Sequence, residues 1–259
     1  MMAFPRTSVL RGCERLSAVG GTETERAPCV LPHATRVPQG GAVTRRMTAA
    51  AMLAAALMLT GCSTAAGWEA MRAAPAPIGS PAAGFAPATP PAPESTHSPA
   101  PGSWDDVKAP AGYRVVLLTV GDDAPTTTLV DAVQDWAAET GADLRVVHAD
   151  ADMIDGAVEA MGMNPDLIIS AGDALVDPLA TVTANHLDRQ FLIVGAELAE
   201  PTENVTAVDW TGAAYRGEGL GTASAYDPAS FTPERAAAAV RAGVASVLTG
   251  QRGIVLWMD

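Results

Sequence analysis

Lysine is nearly missing from this sequence: of 16 basic residues only Lys108 is a lysine, against 29 acidic residues and a net charge of −13. A chain of that sign repels phosphate backbones and anionic headgroups, which argues against nucleic acid and against electrostatic attachment to a membrane. Cysteine is scarce too, at three residues. Cys13 and Cys29 fall within the first 42 residues, so a chain that begins at Cys62 has a single cysteine, too few for a disulfide framework or a Cys-ligated metal. Aromatic residues make up 5% and charged residues 17%, beside 24 Gly and 20 Pro, so part of the chain cannot build a core. The apolar run at 47–59, broken only by Thr48, falls short of the ~20 residues a bilayer-spanning helix requires. The sequence contains no G-x-S-x-G elbow, no H-E-x-x-H pair and no P-loop lysine, and only His148 and His186 fall in the C-terminal domain. No enzyme and no cofactor are expected.

What is present begins at "LMLTGCSTAA", residues 57–66. Arg45 and Arg46 precede the apolar run, which has the length of a signal-peptide core. Leu59, Thr60, Gly61 and Cys62 then resemble the lipobox of bacterial lipoproteins, whose cysteine is thioether-linked to diacylglycerol. On that resemblance residues 43–61 are a signal peptide, and Cys62 is the acylated first residue of a protein anchored on the extracytoplasmic side of the cell membrane. Two or three acyl chains give stable attachment where one is marginal. Residues 1–42 have no role in such a signal and read as an extension from a start placed too early, with Val43 an alternative initiator.

Residues 62–110 are dominated by Ala, Pro, Gly and Ser, as in "APAPIGSPAAGFAPATPPAPESTHSPAPGS". Such a composition buries little and is held extended by its prolines, so a disordered, semi-rigid tether is expected. From Cys62 onward nine basic residues face 26 acidic ones, a net charge of −17. The lipid, not electrostatics, would have to hold this chain at a membrane.

From about residue 111 the pattern changes. Continuous apolar runs of strand length, "YRVVLLTV", "DLRVVHA", "PDLIIS", "QFLIVGAE", "NVTAVDW" and "GIVLWM", alternate with segments of helical spacing. In the first such segment Leu129, Val133, Trp136 and Ala137 share a face, with Pro125 near the start and Gly141 as C-cap. Asp152 and Asp177 are placed to cap the next two helices, and Thr232 with Pro233 starts the last. Strands apolar on both faces and alternating with helices give an α/β fold, an open, doubly wound, mainly parallel sheet over residues 111–259. The Gly-rich stretch 211–226 is only weakly helical in pattern.

The run "NPDLIISAGDALVDPLATVTANHLDRQFLIVGAE" with "ENVTAVDWTGAAYRGEGLG" resembles the basic membrane protein family, the lipid-anchored nucleoside-binding components of ABC transporters. Asp166, Gly172, Asp177, Phe191, Asn204, Val205, Glu218 and Gly219 fall in matching places. The resemblance covers residues 113–226 and implies one lobe of a type I periplasmic-binding-protein-like fold, a small polar solute and an ABC transporter permease as partner. The family's first loop carries an aromatic that packs on the base; here that loop reads "GDDAPTTT", where Asp122 and Asp123 can stand for the loop acid but no aromatic follows. The family closes two lobes on its ligand, and this chain holds the first, so a homodimer is one way to rebuild a cleft.

In open α/β sheets ligands bind beyond the carboxyl ends of the strands. The loops there are 121–124, 148–152, 171–177 and 195–203, with Asp150, Asp152 and Glu197 among their acids. Asp122, Asp123, Gly172 and Asp173 are the candidate ligand-binding residues. "HADAD" brings His148, Asp150 and Asp152 together in sequence, but no second cluster completes a metal-ligand set, and no metal is expected. "GEGLG" at 217–221 does not open a helix after a strand and is no dinucleotide fingerprint. Two functions remain: a solute-binding lipoprotein, or a ligand-free single-lobe interaction module of the cell envelope.

Overall fold

The computed structural model describes residues 67, 68, 70, 72–213 and 215–258. The chain divides between Cys62 and Ser63, and every described residue lies on the C-terminal side of that division. Cys62 and the signal segment lie outside the described residues.

Among the described residues seven strands form one sheet, all parallel. They are β1 (Thr96–His97), β2 (Arg114–Thr119), β3 (Asp143–His148), β4 (Leu167–Ala171), β5 (Phe191–Val194), β6 (Val205–Asp209) and β7 (Ile254–Trp257). Their spatial order is β1-β7-β6-β5-β4-β2-β3. Between them run α1 (Ala124–Thr140), α2 (Met153–Gly162), α3 (Val176–Thr183) and α4 (Pro233–Leu248). The doubly wound parallel sheet expected from the sequence is the fold.

Period-two alternation distributes each strand between two cores. In β2, Val115 and Leu117 face a core with Leu129, Val133 and Trp136 of α1 and Ala239 and Val240 of α4. Val116 and Leu118 face the other, with Ala157 and Met161 of α2 and Leu179 of α3. Both faces are covered, which is why the strands read as unbroken apolar runs. The helix starts follow their sequence signals: the Asp123 side chain accepts from Thr126 N, Asp152 from Ile154 N and Asp155 N, and Thr232 from Arg235 N. At Gly243 of α4 an added Cβ would lie 2.6 Å from Leu192 Cδ1, so the helix rests on the sheet at a distance only glycine permits.

The segment expected to be a free tether departs from that expectation. Phe85, Trp104, Val107 and Ala109 are buried in the α1/α4 core, and Trp68 in the other. Ile78 and Lys108 exchange backbone hydrogen bonds of 2.9 Å, and Thr96–His97 pairs with Val255 and Leu256 as the outermost strand. At the amino edge the buried Arg114 guanidinium donates to the carbonyls of Gly67, Trp68 and Ala70, while Arg72 pairs with Asp166. The folded unit thus includes the described residues upstream of 111. The physical reason lies in a few large rings that composition averages away: each buries on the order of 150–250 Å² and can outweigh the ordering cost of a short segment whose prolines have little freedom to lose.

Candidate functional site

The topology selects one place on the carboxyl edge. From β2 the chain steps outward to β3, then returns past β2 to β4 on its other side, so connections diverge between β2 and β4. A crevice at such a switch point is where doubly wound sheets take their ligands. The loops that leave these strands carry Gly121, Asp122 and Asp123 on one side and Gly172 and Asp173 on the other.

The two loops are in contact. Gly172 has φ +82°, and a Cβ there would stand 3.4 Å from Thr126 Oγ1 in the first turn of α1, which puts the loop after β4 against the N-terminus of that helix. Gly172 N donates to Val194 O at 2.9 Å, and Gly121 N donates to Asp150 Oδ1 at 2.8 Å. Asp123 is committed to capping: one oxygen accepts from Thr126 N at 3.1 Å and the other from Thr126 Oγ1 at 2.8 Å. Asp122 offers its carbonyl to Thr127 Oγ1 at 3.3 Å. Asp173 is exposed, and its carbonyl accepts from Val176 N at 3.0 Å. Of the four candidates, Asp123, Gly172 and Asp173 gather around the first turn of α1, and Asp122, next in the chain to Asp123, is exposed.

The aromatic that the first loop lacks comes from elsewhere in the chain. After β6 the described residues of 210–231 cross this edge as irregular backbone apart from one 3-10 turn at Pro228–Ser230. Trp210 is fully buried, meets Phe231 edge-to-face at 5.1 Å and donates from Nε1 to Ser230 Oγ at 3.0 Å. Tyr226 packs its ring 6.0 Å from Phe231 and remains 55% exposed. Its hydroxyl is held above the ordinary tyrosine range, first by partial burial and then by the carboxylates of Asp173 and Asp123. Tyr226 is thus within electrostatic reach of the candidate acids and leaves part of its ring exposed, which the loop sequence could not show.

Asp177 does not cap its helix. α3 begins two residues early, with Leu175 at the N-cap and no side-chain cap bond. The Asp177 carboxylate, freed from that role, instead accepts from Tyr215 Oη at 2.6 Å and from Glu218 N at 2.8 Å, tying the 215–218 loop down. Beneath it, buried Glu197 pairs with Arg216 and donates its backbone N–H to Tyr215 O at 2.9 Å. Burial raises the Glu197 carboxyl, and Arg216 opposes that rise. The Tyr215 hydroxyl is pushed up to about 12, chiefly by its bond to Asp177. A folded-state value above the ordinary 10 means this bond stabilises the fold below pH ~10 and is lost as pH rises toward 12. Ultraviolet titration should show an ionisation that moves down toward 10 in Asp177→Asn and disappears in Tyr215→Phe; a Tyr215 value unmoved by Asp177→Asn would contradict the assignment.

No family model and no curated protein sequence matches the chain. Among solved structures it is similar to a solute-binding protein of an ABC transporter system from Aeropyrum pernix K1, at 18% identity and a TM-score of 0.34. The match covers 38% of this chain and 29% of that one, so it spans less than a third of the neighbour's length.

The chemistry of the edge is set by charge. Asp122, Asp123, Asp173, Asp177 and Glu218 gather along it, and its Arg216 is neutralised by Glu197. Phosphate or carboxylate groups are repelled there, whereas hydroxyls and cations find carboxylate acceptors beside an exposed aromatic face. Among the described residues no three His, Cys, Asp or Glu side chains gather in a metal-binding group.

Proposed function

We propose that this protein is a lipid-anchored solute-binding component of an ABC transporter, and that it takes a small, uncharged or cationic polar solute such as a nucleoside at the β2/β4 edge. The features that carry the reading are the exposed Tyr226 ring, held against Phe231 within electrostatic reach of Asp123 and Asp173, and the exposed Asp173 carboxylate: a ring on which a base can stack and an acceptor for hydroxyl protons. Cys62 supplies the anchor, the transporter's permease is the partner, and the cell membrane's extracytoplasmic face is the location. Solute binding without catalysis agrees with an edge whose acids serve capping and loop anchoring.

Native mass spectrometry of the full chain purified without refolding tests the site. A co-purified or saturable small molecule that dissociates on Asp173→Ala supports it; a protein empty against a nucleoside panel contradicts it. Incorporation of labelled palmitate that Cys62→Ala abolishes is the expected result for the anchor, and equal labelling of both chains is the contrary one. One observation favours a ligand-free interaction module instead: the clefts of about 530 and 290 Å³ both lie on the α1/α4 side, and neither is lined by Asp123, Asp173 or Tyr226.

A further inference from the structure

The larger of those clefts has its own chemistry. It opens at the amino-terminal end of the sheet, between the segment 78–111, the end of α1 and α4, with a volume of about 530 Å³. That lies within the ~300–1,000 Å³ typical of small-molecule sites. Trp104 and Trp136 form much of its apolar wall, both nearly buried. The paired backbones of Ile78 and Lys108 hold its mouth in place.

Four charged residues line it, and two of them, Glu139 and Arg241, pair with each other. Arg241 Nη2 donates to Glu139 Oε2 at 2.7 Å, so this pair is balanced within the wall. Asp105 folds over its own turn, its Oδ2 3.2 Å from where a Cβ on Gly102 would be. Lys108 is exposed and makes no side-chain hydrogen bond or ion pair with the described residues. The single lysine of the chain thus stands at the mouth of an indole-walled cleft. Long-range repulsion from the net charge of −13 decays within about 8 Å at 0.15 M salt and leaves the local cation to act.

We propose that this cleft is a second binding site, for a small planar apolar molecule carrying one anionic group, with its rings against Trp104 and Trp136 and its anion on the Lys108 ammonium. Its preference is opposite to that of the acidic β2/β4 edge, so the two sites take different ligands and each can fail alone.

The test is a fluorescence titration of the full chain with 8-anilinonaphthalene-1-sulfonate and, in parallel, its uncharged counterpart N-phenyl-1-naphthylamine. Lys108 and Ala111 are exposed, so substitutions there leave the core intact. The sulfonate probe should saturate one site per chain, Lys108→Gln should weaken it about tenfold, as loss of a charge-assisted contact does, and the neutral probe should hold within about twofold. Ala111→Trp, which fills the mouth, should weaken both probes at least tenfold. Because Lys108 is the only side-chain amine, bound sulfonate should also slow its acylation, read by peptide mapping. Equal sulfonate affinity in the native chain and Lys108→Gln, equal weakening of both probes by Lys108→Gln, indifference to Ala111→Trp, or no saturable binding overturns the proposal.

Discussion

Replacing Trp210 with alanine is expected to destabilise the protein by about 3–5 kcal/mol, the range for removing a large buried aromatic. The indole is fully buried, meets Phe231 at 5.1 Å, and its Cη2 lies 3.5 Å from the position a Cβ on Gly195 would take. The space it leaves cannot be refilled by neighbours fixed in strands on one side and a tight turn on the other. Ser230 Oγ loses its donor as well. The second effect falls on the candidate site: Tyr226 leans on Phe231, so its ring loses its support. Trp210→Phe keeps most of the volume and gives up one hydrogen bond, an effect of about 1 kcal/mol. Urea unfolding followed by circular dichroism measures both, through a lowered midpoint at unchanged slope. A Trp210→Ala chain within 1 kcal/mol of native would mean that the segment 210–231 is not fastened to the sheet as described.

The second large effect concerns the upstream segment. Phe85→Ala is expected to cost about 3–5 kcal/mol, because the ring is 1% exposed and packed in the α1/α4 core. A free tether would tolerate the same change within about 0.5 kcal/mol. A chain begun at residue 111 should be less stable still, since it also loses Trp104, Val107 and Ala109 and bares the edge of β7 that pairs with Thr96–His97. Limited proteolysis reads the same question without substitution: the bonds of 78–108 should resist cleavage until the whole unit opens. Early cleavage there, leaving an intact remainder with an unchanged thermal midpoint, would restore the tether.

These two predictions mark where sequence reasoning succeeded and where it stopped. The alternation of Val115, Val116, Leu117 and Leu118 between two cores, and the spacing of Leu129, Val133 and Trp136, are local properties, and they led directly to a parallel sheet with helices on both faces. The switch point followed, and with it the loops of Asp123 and Asp173. What was hidden depends on partners distant in the chain. Thr96 pairs with Val255, and Phe85 packs among residues of α1 and α4, relations that a Pro/Ala composition does not announce. Asp177 ahead of Pro178 has the look of a cap, and only the tertiary structure shows it bound to Tyr215 and Glu218. Tyr226 was missed for the same reason, although a signal existed: Trp210, Tyr215, Tyr226 and Phe231 place four of the twelve aromatic residues within one short irregular stretch. Such clustering in an aromatic-poor chain marks a segment that folds onto something.

The central claim is that the β2/β4 edge binds an uncharged or cationic polar solute through Tyr226 and Asp173. Isothermal titration of the full chain with guanosine, adenosine, uridine and their 5′-monophosphates tests it most directly. At least one nucleoside should bind saturably and more tightly than its phosphate, with Tyr226→Ala and Asp173→Asn each weakening it by about tenfold or more, the loss of roughly one aromatic or charge-assisted contact. Binding indifferent to both substitutions, a preference for the phosphates, or no binding across the series would contradict the account.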